Sequence, residues 1–230
     1  MPAPNSRRKT SHHTATMIVT GGGWSFEPKM DGIRAIATID HGSARVVSRN
    51  NNDLSKQYPA LIEALARINK SSFEIANAVM HTTGQAFMMA FQAGGPHAQD
   101  RGLEAVTYAW DQMRRVPAKS LWEKPQGKGD PLRMEKRFRV VPRGIGLVIG
   151  CCTFPTWNGY PGLFASLATG NAVIVKPHPA AILPLAITVR IVREVLAEAG
   201  FDPNVVTLVA HAAGDDVAKK LALRPEVRII

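Results

Sequence analysis

The chain has 230 residues, 28 Lys+Arg against 18 Asp+Glu, a formal net charge of +10, and 45% hydrophobic and 20% charged residues. This is globular composition at a length for one or two domains, and it excludes a wholly disordered or collagen-like chain. The two cysteines are adjacent, Cys151 and Cys152, which excludes a disulfide framework or multi-cysteine zinc site and suits a reducing compartment.

No apolar run approaches the ~20 residues that span a bilayer. Arg7, Arg8 and Lys9 are followed by polar residues rather than the apolar core of a secretory signal, so a cytoplasmic protein without membrane association is expected. The positive charge is concentrated at residues 114–143, with 10 Lys+Arg against 3 Asp+Glu. That pattern is expected to be a solvated face or the arm of a homo-oligomer rather than a nucleic-acid surface.

In chain order, residues 1–23 are poor in large apolar side chains and end in Gly21-Gly22-Gly23, which predicts a disordered tail. Alternation across Ile33–Ile39, a His41-Gly42-Ser43 turn and Ala44–Ser48 predict a β-hairpin. Leu61, Leu65 and Ile68 form a helical stripe from about Pro59, and residues 72–115 are helical in pattern with a break at Gly94-Gly95-Pro96. The prolines and glycines of 116–133 predict an irregular connection, and 137–149 read as two strands about Pro142-Arg143-Gly144. Thereafter helix 163–169 closed by Gly170, strand 171–175, helix 183–199 closed by Gly200, strand 205–209, helix 215–223 and strand 227–230 alternate. Such alternation predicts a parallel sheet with helical crossovers.

Two constellations carry chemistry. The first is Glu27-Pro28-Lys29-Met30-Asp31-Gly32-Ile33-Arg34, followed by Ser48-Arg49-Asn50 and Tyr58-Pro59-Ala60-Leu61. A lone lysine is a surface lysine, but one set beside a glycine and arginines has the parts of a nucleotide-attacking amine. Residues 24–66 resemble the adenylation region of ATP-dependent DNA ligases. The resemblance implies that Lys29 is adenylated by ATP, that Glu27 lies at the nucleotide base, and that Arg34 and Arg49 contact nucleotide or DNA phosphate. The family's later carboxylate and lysine motifs have no match here.

The second constellation is Pro142-Arg143-Gly144 through Ile149-Gly150, then Cys151-Cys152-Thr153-Phe154-Pro155, then Leu167-Ala168-Thr169-Gly170-Asn171-Ala172-Val173-Ile174-Val175-Lys176-Pro177. Residues 68–230 resemble the amino-terminal, cofactor-binding half of the aldehyde dehydrogenase superfamily. Phe73–Ile75, Thr82–Gln85 and Gln92–Gly95 look closest to its phenylacetic acid degradation branch. The resemblance implies an α/β fold, an incomplete Rossmann-like parallel sheet of aldehyde dehydrogenase type preceded by helices and a small amino-terminal β-hairpin. It implies an aldehyde substrate and NAD or NADP held by Ile149, Thr153, Phe154, Pro155, Lys176, Pro177 and His178. Lys176 would hydrogen-bond the adenosine ribose; the competing reading is a solvated strand-end lysine.

Departures from the family pattern are informative. The family's oxyanion-donating Asn is replaced by Thr153, so Thr153 or Asn158 is expected to donate there. His178-Pro179 stands where the family carries a ribose-reading Glu, which leaves NADP as open as NAD. Cys151 and Cys152 sit at the cofactor turn and are expected to be small buried side chains rather than the nucleophile. In the family the general-base Glu and the catalytic Cys lie beyond the equivalent of Ile230, so the chain as given is expected to be inactive as a dehydrogenase and to self-associate through sheet edges.

The two resemblances meet at Ala64–Asn69, within one helix. The expected organisation is a tail (1–23), a ligase-like adenylation fragment (24–66) and an aldehyde dehydrogenase-like fragment (67–230), joined as a fusion. Three functions follow: an aldehyde dehydrogenase fragment, an ATP-dependent ligase remnant, or a non-catalytic fusion remnant.

Overall fold

Short runs of β-branched residues separated by amphipathic helices dictate the central layer. A computed structural model describes residues 55–230 in full and, within 1–54, only the backbones of four strands. Those strands, β1 (Thr16–Thr20), β2 (Gly23–Glu27), β3 (Ala35–Asp40) and β4 (Ser43–Ser48), form an antiparallel sheet in sequential order. The predicted hairpin is β3–β4, closed by the Asp40↔Ser43 pair. Strand β1 falls in the segment predicted to be without structure; Met17-Ile18-Val19 has strand propensity too brief to register as a pattern.

Four helices follow: α1 (Pro59–Lys70), α2 (Ser72–Thr83), α3 (Phe87–Gly94) and α4 (Pro96–Arg114). Pro59 opens α1 at a position where a missing N–H costs nothing, and Leu61, Leu65 and Ile68 turn inward. The predicted break at Gly94-Gly95-Pro96 is observed. A second break, at Gly84, ends α2 in the left-handed conformation.

Residues 119–137 correct the expected irregular connection. Strands β5 (Lys119–Gln126) and β6 (Gly129–Arg137) pair antiparallel about Gly127-Lys128. Pro125 and Pro131 are tolerated because each strand has only one ladder partner. The ribbon is exposed almost throughout, and ion pairs join Lys119 to Glu135 and Arg133 to Glu123 across it. The charge excess therefore lies on solvated strands. Residues 138–144 form no strand, so only one of the two strands expected over 137–149 is present.

That strand is β7 (Ile145–Ile149), followed by α5 (Pro155–Ala168), β8 (Ala172–Lys176), α6 (Ile182–Glu198), β9 (Val206–Leu208), α7 (Val217–Ala222) and β10 (Val227–Ile229). The four strands are parallel, in the order β10-β7-β8-β9. Helix α5 begins at Pro155, well before the predicted Leu163, because Gly159, Pro161 and Gly162 mask a helical stretch. Helices α5 and α6 pack against the sheet and each other, and α4 lies along α5. One core joins Val148, Val173 and Val175 of the sheet to Phe164, Val192, Leu65, Ile75 and Leu103 of the helices.

Both crossover helices end as the glycines predict. At α5 the Gly170 N–H bonds the Leu167 carbonyl (3.0 Å) and the Asn171 N–H the Ser166 carbonyl (2.9 Å). At α6, Gly200 and Phe201 do the same to Ala197 and Leu196. Among the described residues no helix is long and apolar enough to cross a membrane.

Candidate functional site

In a sheet of this order the chain starts at β7, moves outward through β8 and β9, then returns to place β10 on the far side of β7. The strand order reverses at β7, and open α/β sheets bind ligands beyond the carboxyl ends of their strands at such a reversal. Asn171 fixes the register of these strands from their opposite, amino end. Its buried side-chain oxygen accepts the N–H groups of Arg143 (2.7 Å) and Gly144 (3.0 Å), and its amide donates to the Thr169 hydroxyl (2.8 Å). The starts of β7 and β8 are thereby tied together, and five residues later Ile149 lies beside Lys176.

Lys176 is 5% exposed, so it is not a solvated strand-end lysine. Among the described residues no carboxylate pairs with its ammonium. Its aliphatic stem is covered while its ammonium still reaches solvent, where a polar ligand can meet it. Next to it, Gly150 donates its N–H to the Lys176 carbonyl at 2.8 Å. A Cβ on Gly150 would come within 2.8 Å of the Leu185 side chain and 3.1 Å of the Pro177 backbone. Only glycine lets the β7 turn lie this close to the β8 turn.

Thr153 is exposed, and its carbonyl accepts a hydrogen bond from the Gln85 side chain. Phe154 caps α5, and Pro155, buried, is its first residue. Pro177 is buried and His178 half-buried; the His178 Nδ1 accepts the Ala180 N–H (3.1 Å), which leaves the proton of the neutral ring on Nε2. The structure thus brings Ile149, Thr153, Phe154, Pro155, Lys176, Pro177 and His178 to one edge. Asn158 is exposed there, but its amide donates to the Cys151 sulfur at 3.2 Å. Cys151 also accepts the Phe154 N–H (3.4 Å), and both cysteines are half-buried rather than fully buried. Lys29, Arg34 and Arg49 lie outside the described residues, as does the side chain of Glu27.

Three residues at this edge escaped sequence reading. Gln85 reaches Thr153 from 68 positions away, with its own Oε1 buried and unpaired. Trp157, on the first turn of α5, stacks at a tilt on Phe154 with ring centroids 6.1 Å apart, and the Arg101 guanidinium of α4 lies 3.9 Å from the Trp157 centroid. The motif containing Gln85 is visible in the sequence; the contacts are not.

A close turn at Gly150, a lysine with no carboxylate partner among the described residues and a switch-point edge fit a nucleotide cofactor. Comparison with known proteins agrees. The model of the aldehyde dehydrogenase family matches residues 38–230. A crystal structure of NAD-dependent aldehyde dehydrogenase from Burkholderia multivorans is 72% identical over 76% of this chain, with a TM-score of 0.72. Glyceraldehyde-3-phosphate dehydrogenase GapN from Methanocaldococcus jannaschii, complexed with NADP, shares the fold at 18% identity and a TM-score of 0.57, again over 76% of the chain. This chain spans about a third of each of those proteins, 31% and 35%. At the amino-terminal end, 44 residues are 46% identical to DNA ligase C1 of Mycolicibacterium smegmatis, covering 19% of this chain and 13% of the ligase. With the family match covering most of its length, the chain belongs to the aldehyde dehydrogenase family.

Proposed function

We propose that residues 67–230 are the cofactor-binding part of a cytoplasmic NAD(P)-dependent aldehyde dehydrogenase of the phenylacetic acid degradation branch, a homo-oligomer that oxidises an aldehyde to its acid. The observation that carries this reading is Lys176, covered along its stem and without a carboxylate partner among the described residues, beside the close turn at Gly150. When bound, the nicotinamide supplies the hydride acceptor. Lys176 donates to the adenosine ribose, while the Phe154-Pro155 turn and Ile149 wall the edge. Thr153 is the better oxyanion donor, because the amide of Asn158 is engaged by Cys151. The Nε2–H of His178, with no carboxylate in its place, donates to a ribose phosphate as readily as to a hydroxyl. Calorimetric titration with NAD and NADP tests this: binding of either, weakened at least ~10-fold by Lys176→Met, is the expected result, and no heat with either refutes it.

A second reading is favoured by the 46% identity to the ligase over 44 residues. Residues 24–66 would then be a ligase-derived segment fused to the dehydrogenase part, with Lys29 the adenylated amine and nucleic acid its partner. Incubation with labelled ATP and magnesium, then denaturing electrophoresis, decides it; a covalent label lost in Lys29→Ala supports it, and no label excludes it.

A further inference from the structure

Arginines that leave bulk water need acceptors for their five N–H groups. Among the described residues three arginines are half-buried: Arg67, Arg101 and Arg193. Arg67 is bonded to Glu63 and Glu198, and Arg193 to the carbonyls of Pro203 and Val206. Arg101 has no acceptor among them; its recorded contact is the face of Trp157. The other arginine over a tryptophan, Arg114 on Trp110, is also ion-paired to Asp111. Stacking alone leaves the in-plane donors of a guanidinium free. The adjacent Asp100 is no partner for it: its Oδ1 is buried without a hydrogen bond, and burial, with Glu104 nearby, pushes its carboxyl up to about 8.

The location gives the free charge a use. Phe154 and Trp157 meet at a tilt, and Arg101 lies over the Trp157 face, so the three lead away from the sheet's carboxyl edge in turn. Thr156 bonds the Gly94 carbonyl (2.9 Å) just before α4, and Gly102 packs against Phe164, so α4 and α5 run side by side in the same direction. Both therefore present their positive ends at this edge. An aromatic pair ending in a guanidinium with no acceptor among the described residues suits a molecule with an apolar body and an anionic end.

We propose that Arg101 and Trp157 form an anion-recognition site, so that the aldehydes this family member takes carry a carboxylate or phosphate at the end remote from the carbonyl. This rests on the dehydrogenase reading above, and its test keeps the two separable. The full chain is titrated calorimetrically with benzoate, phenyl phosphate and benzamide, and separately with NAD and NADP. The expected result is that benzoate, phenyl phosphate or both bind at least ~10-fold more tightly than benzamide; which one does tells carboxylate from phosphate. Arg101→Gln abolishes that preference, Arg101→Lys keeps part of it, and neither changes the cofactor titration. Equal binding of the three probes, or a preference that survives Arg101→Gln in a chain with an unchanged urea midpoint, overturns the anion site while cofactor binding leaves the dehydrogenase reading standing. An Arg101-dependent preference without binding of either cofactor upholds the anion site and removes the dehydrogenase reading.

Discussion

Replacing Asn171 by alanine removes the one side chain that ties the start of β7 to the start of β8. Three hydrogen bonds go with it: two accepted from the Arg143 and Gly144 N–H groups and one donated to Thr169. Arg143 and Gly144 are exposed, so water reaches their orphaned N–H groups and each loss is worth about 1 kcal/mol rather than a full burial penalty. Thr169 keeps its bonds to the Ala165 and Ser166 carbonyls, so its share is smaller, about 0.5 kcal/mol. The total is about 2–3 kcal/mol, which for a chain of this size lowers Tm by about 5–10 °C. Urea unfolding followed by circular dichroism measures it. Asn171→Asp is the control, since its carboxylate still accepts both backbone N–H groups and should cost less than about 1 kcal/mol. A loss below about 0.5 kcal/mol for Asn171→Ala, or equal losses for the two variants, would refute the claim that these acceptor bonds fix the register.

Other outcomes follow from single residues. Lys176→Met should weaken NAD(P) binding while leaving the urea midpoint close to that of the parent chain, because methionine keeps the packing of the covered stem; a large drop in the midpoint would show that the ammonium itself supports the fold. Gly150→Ala should cost about 1–3 kcal/mol, read by thermal unfolding, since its methyl meets Leu185 and the Pro177 backbone. Asp100 has a folded pKa of about 8, above its ordinary value near 4. The unfolded chain therefore releases this proton first, and stability falls as pH rises from about 4 to about 8. Asp100→Asn should flatten that fall in urea melts across the range; an unchanged pH profile would show that Asp100 is ionised in the folded chain.

What sequence could show was local. Gly170 and Gly200 read as helix ends because each supplies the left-handed residue that their caps require. The alternation of strands and helices after Ile145 encodes the parallel sheet, and the Gly-Asn and Lys-Pro steps bracket its β8 strand. The first half of α5 was hidden because Gly159, Pro161 and Gly162 mimic a loop, although Gly159 is there to admit Leu185, with a Cβ distance of 3.2 Å. The β5–β6 ribbon was hidden by its prolines and glycines, which punctuate a two-stranded structure without breaking it. The contacts of Gln85 with Thr153 and of Arg101 with Trp157 join distant segments. No local periodicity encodes such meetings; they exist only once α4 and α5 have packed.

The strand order also sets a sequence of events. The pairs β7–β8 and β8–β9 join residues about 30 apart through one helix each, whereas Val227 of β10 meets Ile145 of β7 about 80 residues upstream. Closing that longer loop costs roughly 1 kcal/mol more entropy. During folding β10 should therefore dock last, and in the native state it should detach first, at a free energy below that of global unfolding. The crevice between β7 and β10 is then the last part of the molecule to assemble. Amide exchange at Val227–Ile229 should be fast in the free chain and slow when a nucleotide bridges the two strands.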